Sequence, residues 1–300
     1  MRAARKVLLL RDMTLDIHDR RPLHWQSQLV LLLTVPLAGV FVLLESIQLL
    51  PVSPLRVMQA LAIGLVFALL VWILRAATPA AAFTGGLFTV SLYLWTPGWR
   101  TALWPLLALF LLTFAATRFG RSRKEKLGTA EGKRGRTASQ VAANLGVAVI
   151  AGIPLSAWHV WMGVYPGRVA LIACIAALSE ATADTLSSEL GQVLGGEPRM
   201  LTTLRRVHRG TDGAISLSGT LAGAAGAAIV TTIAALVFRL TLRESAIALG
   251  GGIVGLFVDS LFGATLERRG WLNNDAVNVL STLAAALLAA LAASATNSRL

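Results

Sequence analysis

Apolar runs of roughly 18 to 25 residues recur along this 300-residue chain, and no other feature limits its fold as strongly. A run of that length crosses the hydrocarbon core of a bilayer as a helix. Lipid offers no partner to backbone N–H and C=O groups, so the spanning segments are expected to be helical. The chain is 55% hydrophobic and 14% charged, with a mean hydropathy of +0.69. A soluble domain has no use for so many such runs. The expected fold is all-α: a polytopic membrane helix bundle of about nine transmembrane helices.

The spans are placed at 27–49, 55–74, 79–95, 100–117, 138–154, 168–190, 213–238, 244–266 and 275–295. The chain divides into a cytoplasmic basic segment (1–26), a four-helix membrane part (27–117), a basic cytoplasmic loop (118–137) and a C-terminal membrane part (138–296). The N-terminal segment does not read as a cleavable signal, because a polar stretch precedes a long span with no small-residue cleavage site after it. Cys174 is the only cysteine, which excludes an intrachain disulfide and a CxxC metal site.

The formal charge of +12 does not call for nucleic acid as a partner. With nine spans and the N-terminus in the cytoplasm, 21 of the 27 Lys and Arg fall in cytoplasmic segments, as the positive-inside rule requires. The expected setting is an integral multi-pass protein of a bacterial cytoplasmic membrane. The segment GTAEGKRG (128–135) is not a phosphate loop. The spacing of Gly128 and Gly132 is one residue short, and Arg134 stands where Ser or Thr is needed.

Within this apolar background, LSEATADTLSSELG (178–191) brings three carboxylates within ten residues: Glu180, Asp184 and Glu189. Ionised groups at membrane depth cost at least about 2.5 kcal/mol each, so such residues usually have a task. Glu180, Asp184 and Ser188 share one stripe of a helix. Two readings stand: a polar network tying helices together, or a divalent-metal site of carboxylate oxygens, for which magnesium is suited. Gly251, Gly255, Asp259 and Gly263 recur every four residues, a pattern of close helix packing around one acid that should face a metal or an arginine. GTDGAISLSG (210–219) is a glycine-flanked turn entering a helix. Its free N–H groups could receive phosphate, or Asp212 could simply cap the helix.

Arg199, Arg205, Arg206 and Arg209 precede that turn, either as positive-inside charge or as phosphate ligands. Arg136, Gln140 and Asn144 form a stripe entering the fifth span, and Asn274, Asp275 and Asn278 share the first turn of the ninth. By the assigned topology, all these groups lie at one membrane level on the cytoplasmic side.

The segments ATADTLSSELG (181–191), GTDGAISLSGTLAGAAG (210–226), GLFVDSLFGATLERRGWLNNDAVNVLS (255–281) and, more loosely, GRTASQVAANLG (135–146) resemble the integral membrane family catalogued as domain of unknown function 92, the transmembrane protein 19 group. That family includes a plant phytyl-phosphate kinase. The resemblance implies a membrane lipid-phosphate kinase that moves a phosphoryl group from CTP or ATP to an isoprenyl phosphate lipid at the cytoplasmic face. It implies Mg2+ held by Asp184, Glu189 and Asp259, with Glu180 as a structural neighbour. Asp212 and Gly213 would line the nucleotide phosphates, and Arg136 or Arg209 would hold a phosphate. Asn144, Asn274 and Asn278 would fix water, metal or acceptor phosphate. No role is assigned to ERRG at 267–270. The alternatives are a cytidylyltransferase making a CDP-lipid and a transporter or flippase of an anionic lipid. Expected partners are the nucleoside triphosphate, the lipid phosphate, the bilayer and a second copy of the chain in a homodimer.

Overall fold

A computed structural model describes residues 24–96, 98–130, 135–162 and 167–297, with side chains of 153–162 and 296–297 excepted. The expected basic N-terminal segment lies outside the described residues up to position 23, as do 131–134 of the basic loop and 163–166 of the connection after the fifth expected span.

Each of the nine expected apolar segments is helical. They are α1 (His24–Leu49), α2 (Pro54–Ile73), α3 (Pro79–Leu94), α4 (Leu103–Arg118), α6 (Ala138–Met162), α7 (Arg168–Leu194), α8 (Leu217–Phe238), α9 (Leu242–Phe262) and α10 (Asn274–Asn297). A short helix, α5 (Arg121–Leu127), follows α4 at a bend of 63°. Two short strands, β1 (Arg199–Met200) and β2 (Ala214–Ile215), pair antiparallel with Arg199 opposite Ile215.

The architecture is an all-α polytopic membrane protein. Among the described residues, six helices are long and apolar enough to cross a bilayer, or seven if α4 and α5 count as one broken span. The third expected span, α3, has only 16 residues, and the fifth is a shorter apolar helix over Ala138–Gly152. Helix length therefore does not carry the count of nine.

Local sequence explains most boundaries. Pro54 and Pro79 occupy first helical positions, where a missing N–H costs nothing. The Thr78 hydroxyl accepts from Ala81 N–H, and Thr241 with Glu244 forms a reciprocal capping box at the start of α9. Arg168, at the start of α7, grips Glu244 through two contacts of 2.7 Å and also donates to the carbonyls of Phe238 and Arg239. That clasp fixes the end of the bundle opposite the acidic groups.

α7 is the axis. It is buried along nearly its whole apolar length and is touched by α4, α6, α8, α9 and α10. By contrast, α1 and α2 each leave an apolar face uncovered, with Leu32, Leu65 and Ile73 exposed as lipid contact requires. Trp99 and Trp104 are exposed, as tryptophans at a membrane–water interface commonly are, whereas Trp95 is buried.

Glycines let the helices around α7 approach closely. A Cβ on Gly223 of α8 would stand 2.6 Å from the Ala183 carbonyl, and one on Gly255 of α9 would stand 2.5 Å from Glu180 Cγ. The four-residue glycine stripe of α9 is thus a packing face, as its spacing suggested. Gly223→Val is expected to destabilise the protein by about 1–3 kcal/mol, because the clash is with backbone that cannot rotate away. Thermal unfolding in detergent measures it, and an unchanged melting temperature would mean that α7 and α8 can separate freely.

Candidate active site at one end of the bundle

At the C-terminal end of α7, five segments meet around a polar cavity of about 320 Å³. The ten residues given a metal, nucleotide or phosphate role from the sequence all line it: Arg136, Asn144, Asp184, Glu189, Arg209, Asp212, Gly213, Asp259, Asn274 and Asn278, whereas Glu180, Asp275, Arg199, Arg205 and Arg206 do not. They arrive from the start of α6, the end of α7, the 195–216 loop, the end of α9 and the start of α10. Glu267 lines the cavity as well, which corrects the view of ERRG as a surface element without a role. Only its Arg268 and Arg269 are exposed.

The two central carboxylates are neighbours. Asp184 of α7 and Asp259 of α9 line the same cavity and lie close enough for their charges to interact. Ser281 Oγ of α10 donates to Asp259 Oδ2 at 3.4 Å. Glu180 lies one turn deeper, fully buried beside Gly255 and outside the cavity lining. One of its carboxyl oxygens has no hydrogen-bond partner among the described residues. It sits under the Asp184–Asp259 pair, consistent with a structural place.

Glu189 has a different neighbour. Lys124 of α5 reaches it at 2.5 Å, with a lysine side chain only 1% exposed. The same ammonium donates to the carbonyls of Ala116 at 2.7 Å and Thr117 at 3.1 Å, which the bend after α4 leaves available. Nothing in the sequence marked Lys124 among the eight Lys and Arg of its loop.

Arg136 is positioned by its backbone. Its N–H donates to Ala76 O and its carbonyl accepts from Thr78 N–H, each at 3.0 Å. The preceding Gly135 has φ +74° and a position where a Cβ would meet Ala76 C at 2.4 Å, so only glycine permits the crossing. The guanidinium then reaches the Thr185 hydroxyl at 3.4 Å and lies close enough to Asp184 for charge attraction. Arg209 instead donates to the carbonyls of Gln192 and Gly196, closing the C-terminus of α7.

The turn at 210–216 does not begin a helix at Asp212. β2 extends the loop, and Ser216 caps α8 by accepting from Gly219 N–H at 3.1 Å. Gly213 is pressed onto the far side of the cavity, where an added Cβ would stand 2.1 Å from Ala264 N. Ala264 belongs to a π-helical turn, Gly263–Glu267, that prolongs α9. Such turns are frequent at functional sites. This one brings Glu267 to the cavity beside Asp259, and no local sequence signal announced it.

At the start of α10, Asn273 rather than Asn274 is the cap, accepting from Ala276 N–H at 2.9 Å. Asp275 accepts from Ser27 Oγ at 2.6 Å and so ties α10 to α1. Asn274 and Asn278 are left to the cavity. Asn144 donates to Gln140 O at 2.8 Å within α6.

The cavity therefore holds five carboxylates (Asp184, Glu189, Asp212, Asp259 and Glu267) against Arg136 and Arg209. Among the described residues, no three His, Cys, Asp or Glu side chains form a ready-made metal cage. Two adjacent carboxylates suit magnesium nonetheless, because that ion keeps waters and takes phosphate oxygens rather than an all-protein cage. By that test Asp184 and Asp259 fit the ion, while Glu189 is engaged by Lys124.

An all-α membrane bundle with an acid-rich cavity at one end is the class that fold and site define. The chain belongs to the family described as Integral membrane protein DUF92, which matches residues 62–286. An uncharacterized membrane protein of Methanocaldococcus jannaschii is 35% identical over 189 residues, covering 62% of this chain and 74% of that one. One from Synechocystis sp. is 31% identical over 213 residues, covering 68% and 79%. Protein VTE6, chloroplastic, of Arabidopsis thaliana is 29% identical over 226 residues, covering 74% and 66%. No solved structure matches.

Proposed function

We propose that the cavity transfers a phosphoryl group from a nucleoside triphosphate, CTP or ATP, to an isoprenyl monophosphate, giving the diphosphate at the cytoplasmic face. The observation that carries the reading is the convergence of nine polar residues and Gly213 from five segments on one cavity at the end of an otherwise apolar bundle. A water-borne nucleotide and a membrane-held lipid can meet only at such a level. The family resemblance, which includes a phytyl-phosphate kinase, supports the same chemistry.

In this reading an oxygen of the lipid phosphate attacks the γ-phosphorus, the bond from that phosphorus to the bridging oxygen breaks, and the nucleoside diphosphate leaves. Such a reaction needs positioning and charge neutralisation more than covalent help from the protein. Arg136 holds the acceptor phosphate. The turn at Asp212 and Gly213 faces the nucleotide phosphates. Asn274 and Asn278 orient phosphate or water oxygens. Mg2+, held by Asp184 and Asp259, would supply the positive charge that lets carboxylates and phosphates share one cavity.

Purified protein incubated with γ-labelled CTP or ATP, Mg2+ and phytyl, geranylgeranyl or farnesyl monophosphate is expected to yield labelled lipid diphosphate. Release of pyrophosphate with a CDP-lipid would assign a cytidylyltransferase instead. No transfer with any pair of substrates would overturn the kinase reading.

A further inference from the structure

A second cavity opens beside the acidic one and is of the opposite character. Its walls are Phe67 and Val71 of α2, Gly85 of α3, Phe110 and Phe114 of α4, and Leu145 of α6. The three phenyl rings form a continuous surface, with Phe67 and Phe110 edge to face at 5.2 Å and Phe110 stacked on Phe114 at 5.5 Å. At one end the walls change to Arg75, Arg118, Arg121 and Arg136. The Arg118 guanidinium lies 4.0 Å over the Phe114 ring, where the apolar wall meets the charged rim.

Two residues, Arg136 and Asn144, line both cavities. The apolar groove therefore runs directly into the acidic site at the guanidinium that stands next to Asp184. Arg75 lies just past the end of α2, and Phe67 stands six residues, about 9 Å, inside that end at Ile73, so the groove descends from the charged end toward the bilayer interior.

We propose that this groove holds the head-proximal part of the apolar chain of a lipid monophosphate, with the phosphate at Arg136 and Asn144. The inference rests on the reading of the acidic cavity as a phosphoryl-transfer site, and it adds the route by which the acceptor enters. Charge favours an anionic amphiphile. Four arginines ring the polar end and offer positive charge to an anionic head group where the apolar walls stop. Size sets how much of the chain is gripped. The groove is about 110 Å³, a third of the 320 Å³ of the acidic cavity. Only the first part of the chain fits, and the remainder stays in lipid. Selectivity is therefore expected for chain shape near the head and not for total length.

Gly85 is the point at which to block the groove. A Cβ there would meet Phe67 Cε1 at 3.4 Å and Val141 Cγ1 at 4.0 Å, both of them groove residues. Gly85→Leu is expected to raise KM for geranylgeranyl monophosphate by about ten-fold or more. KM for the nucleotide should stay unchanged. Adding Phe67→Ala makes room and should restore the lipid KM, which a general loss of folding would not allow.

Binding is read without turnover by a geranylgeranyl monophosphate carrying a diazirine near its head, photolysed on the full chain in detergent. Crosslinks are expected on α2 and α4 around Phe67 and Phe110, and they should be lost in Gly85→Leu. Crosslinks on the groove without any diphosphate formation would leave the groove assignment standing and remove the kinase reading. Diphosphate formation with crosslinks confined to the outer faces, or with none, would overturn the groove.

Discussion

Asp259→Asn is expected to abolish lipid diphosphate formation, with a loss on the order of 10²–10³-fold or more, while the protein remains folded. Asparagine keeps the size of the side chain and can still receive the Ser281 hydroxyl, so packing on α10 is retained. What disappears is the charge. Asp184→Asn is expected to have the same effect, because the two carboxyls are interacting neighbours in one cavity and serve one function. The double variant should then be little worse than either single one, as residues acting as a unit are strongly non-additive. Initial rates at saturating Mg2+, with melting temperatures in detergent as the control for folding, measure all three. A double loss equal to the product of the single losses would mean that the two acids act separately. Full activity in either single variant would remove that residue from the site.

Convergence of the polar blocks could be read in the sequence because each block sits at a helix end. Once alternate spans are taken to run in opposite directions, Asp184 near the end of one helix, Asp259 near the end of another and Asn274 at the start of a third must share a side of the membrane. That argument needs only element order and survives a change in span count. The number of crossings was less legible. α3 and α6 are apolar enough to read as spans, but apolar content alone cannot distinguish a full crossing from a short helix packed against its neighbours.

Tertiary detail was hidden for other reasons. The π-helical turn at Gly263–Glu267 packs against Gly213, a contact across 51 positions from Gly213 to Ala264. The cap of α8 moved from Asp212 to Ser216 because β2 pairs with β1 and consumes the intervening residues. Neither event has a local sequence signal. Arg209 was legible as a basic group of the site, but its hold on the carbonyls at the end of α7 was not.

Lys124 tests how such a hidden contact divides stability from catalysis. Its ammonium is buried and is held by Glu189 and two backbone carbonyls, so it anchors α5 to the end of α7. Glu189→Gln removes the countercharge and leaves a buried cation with neutral partners. Breaking a buried pair in this way is expected to cost about 3–5 kcal/mol. Lys124→Met should cost less, because Glu189 is 13% exposed and can draw water from the cavity. The combination of both changes should recover much of the loss, since no unpaired charge remains. Melting temperatures of the four proteins give the coupling between the residues. Activity of the recovered double variant then decides what Glu189 does. Turnover and Mg2+ dependence close to those of the unaltered protein are expected, which would confine Glu189 to the ion pair. A stable double variant that is inactive, or that needs far more Mg2+, would return Glu189 to the metal site beside Asp184 and Asp259.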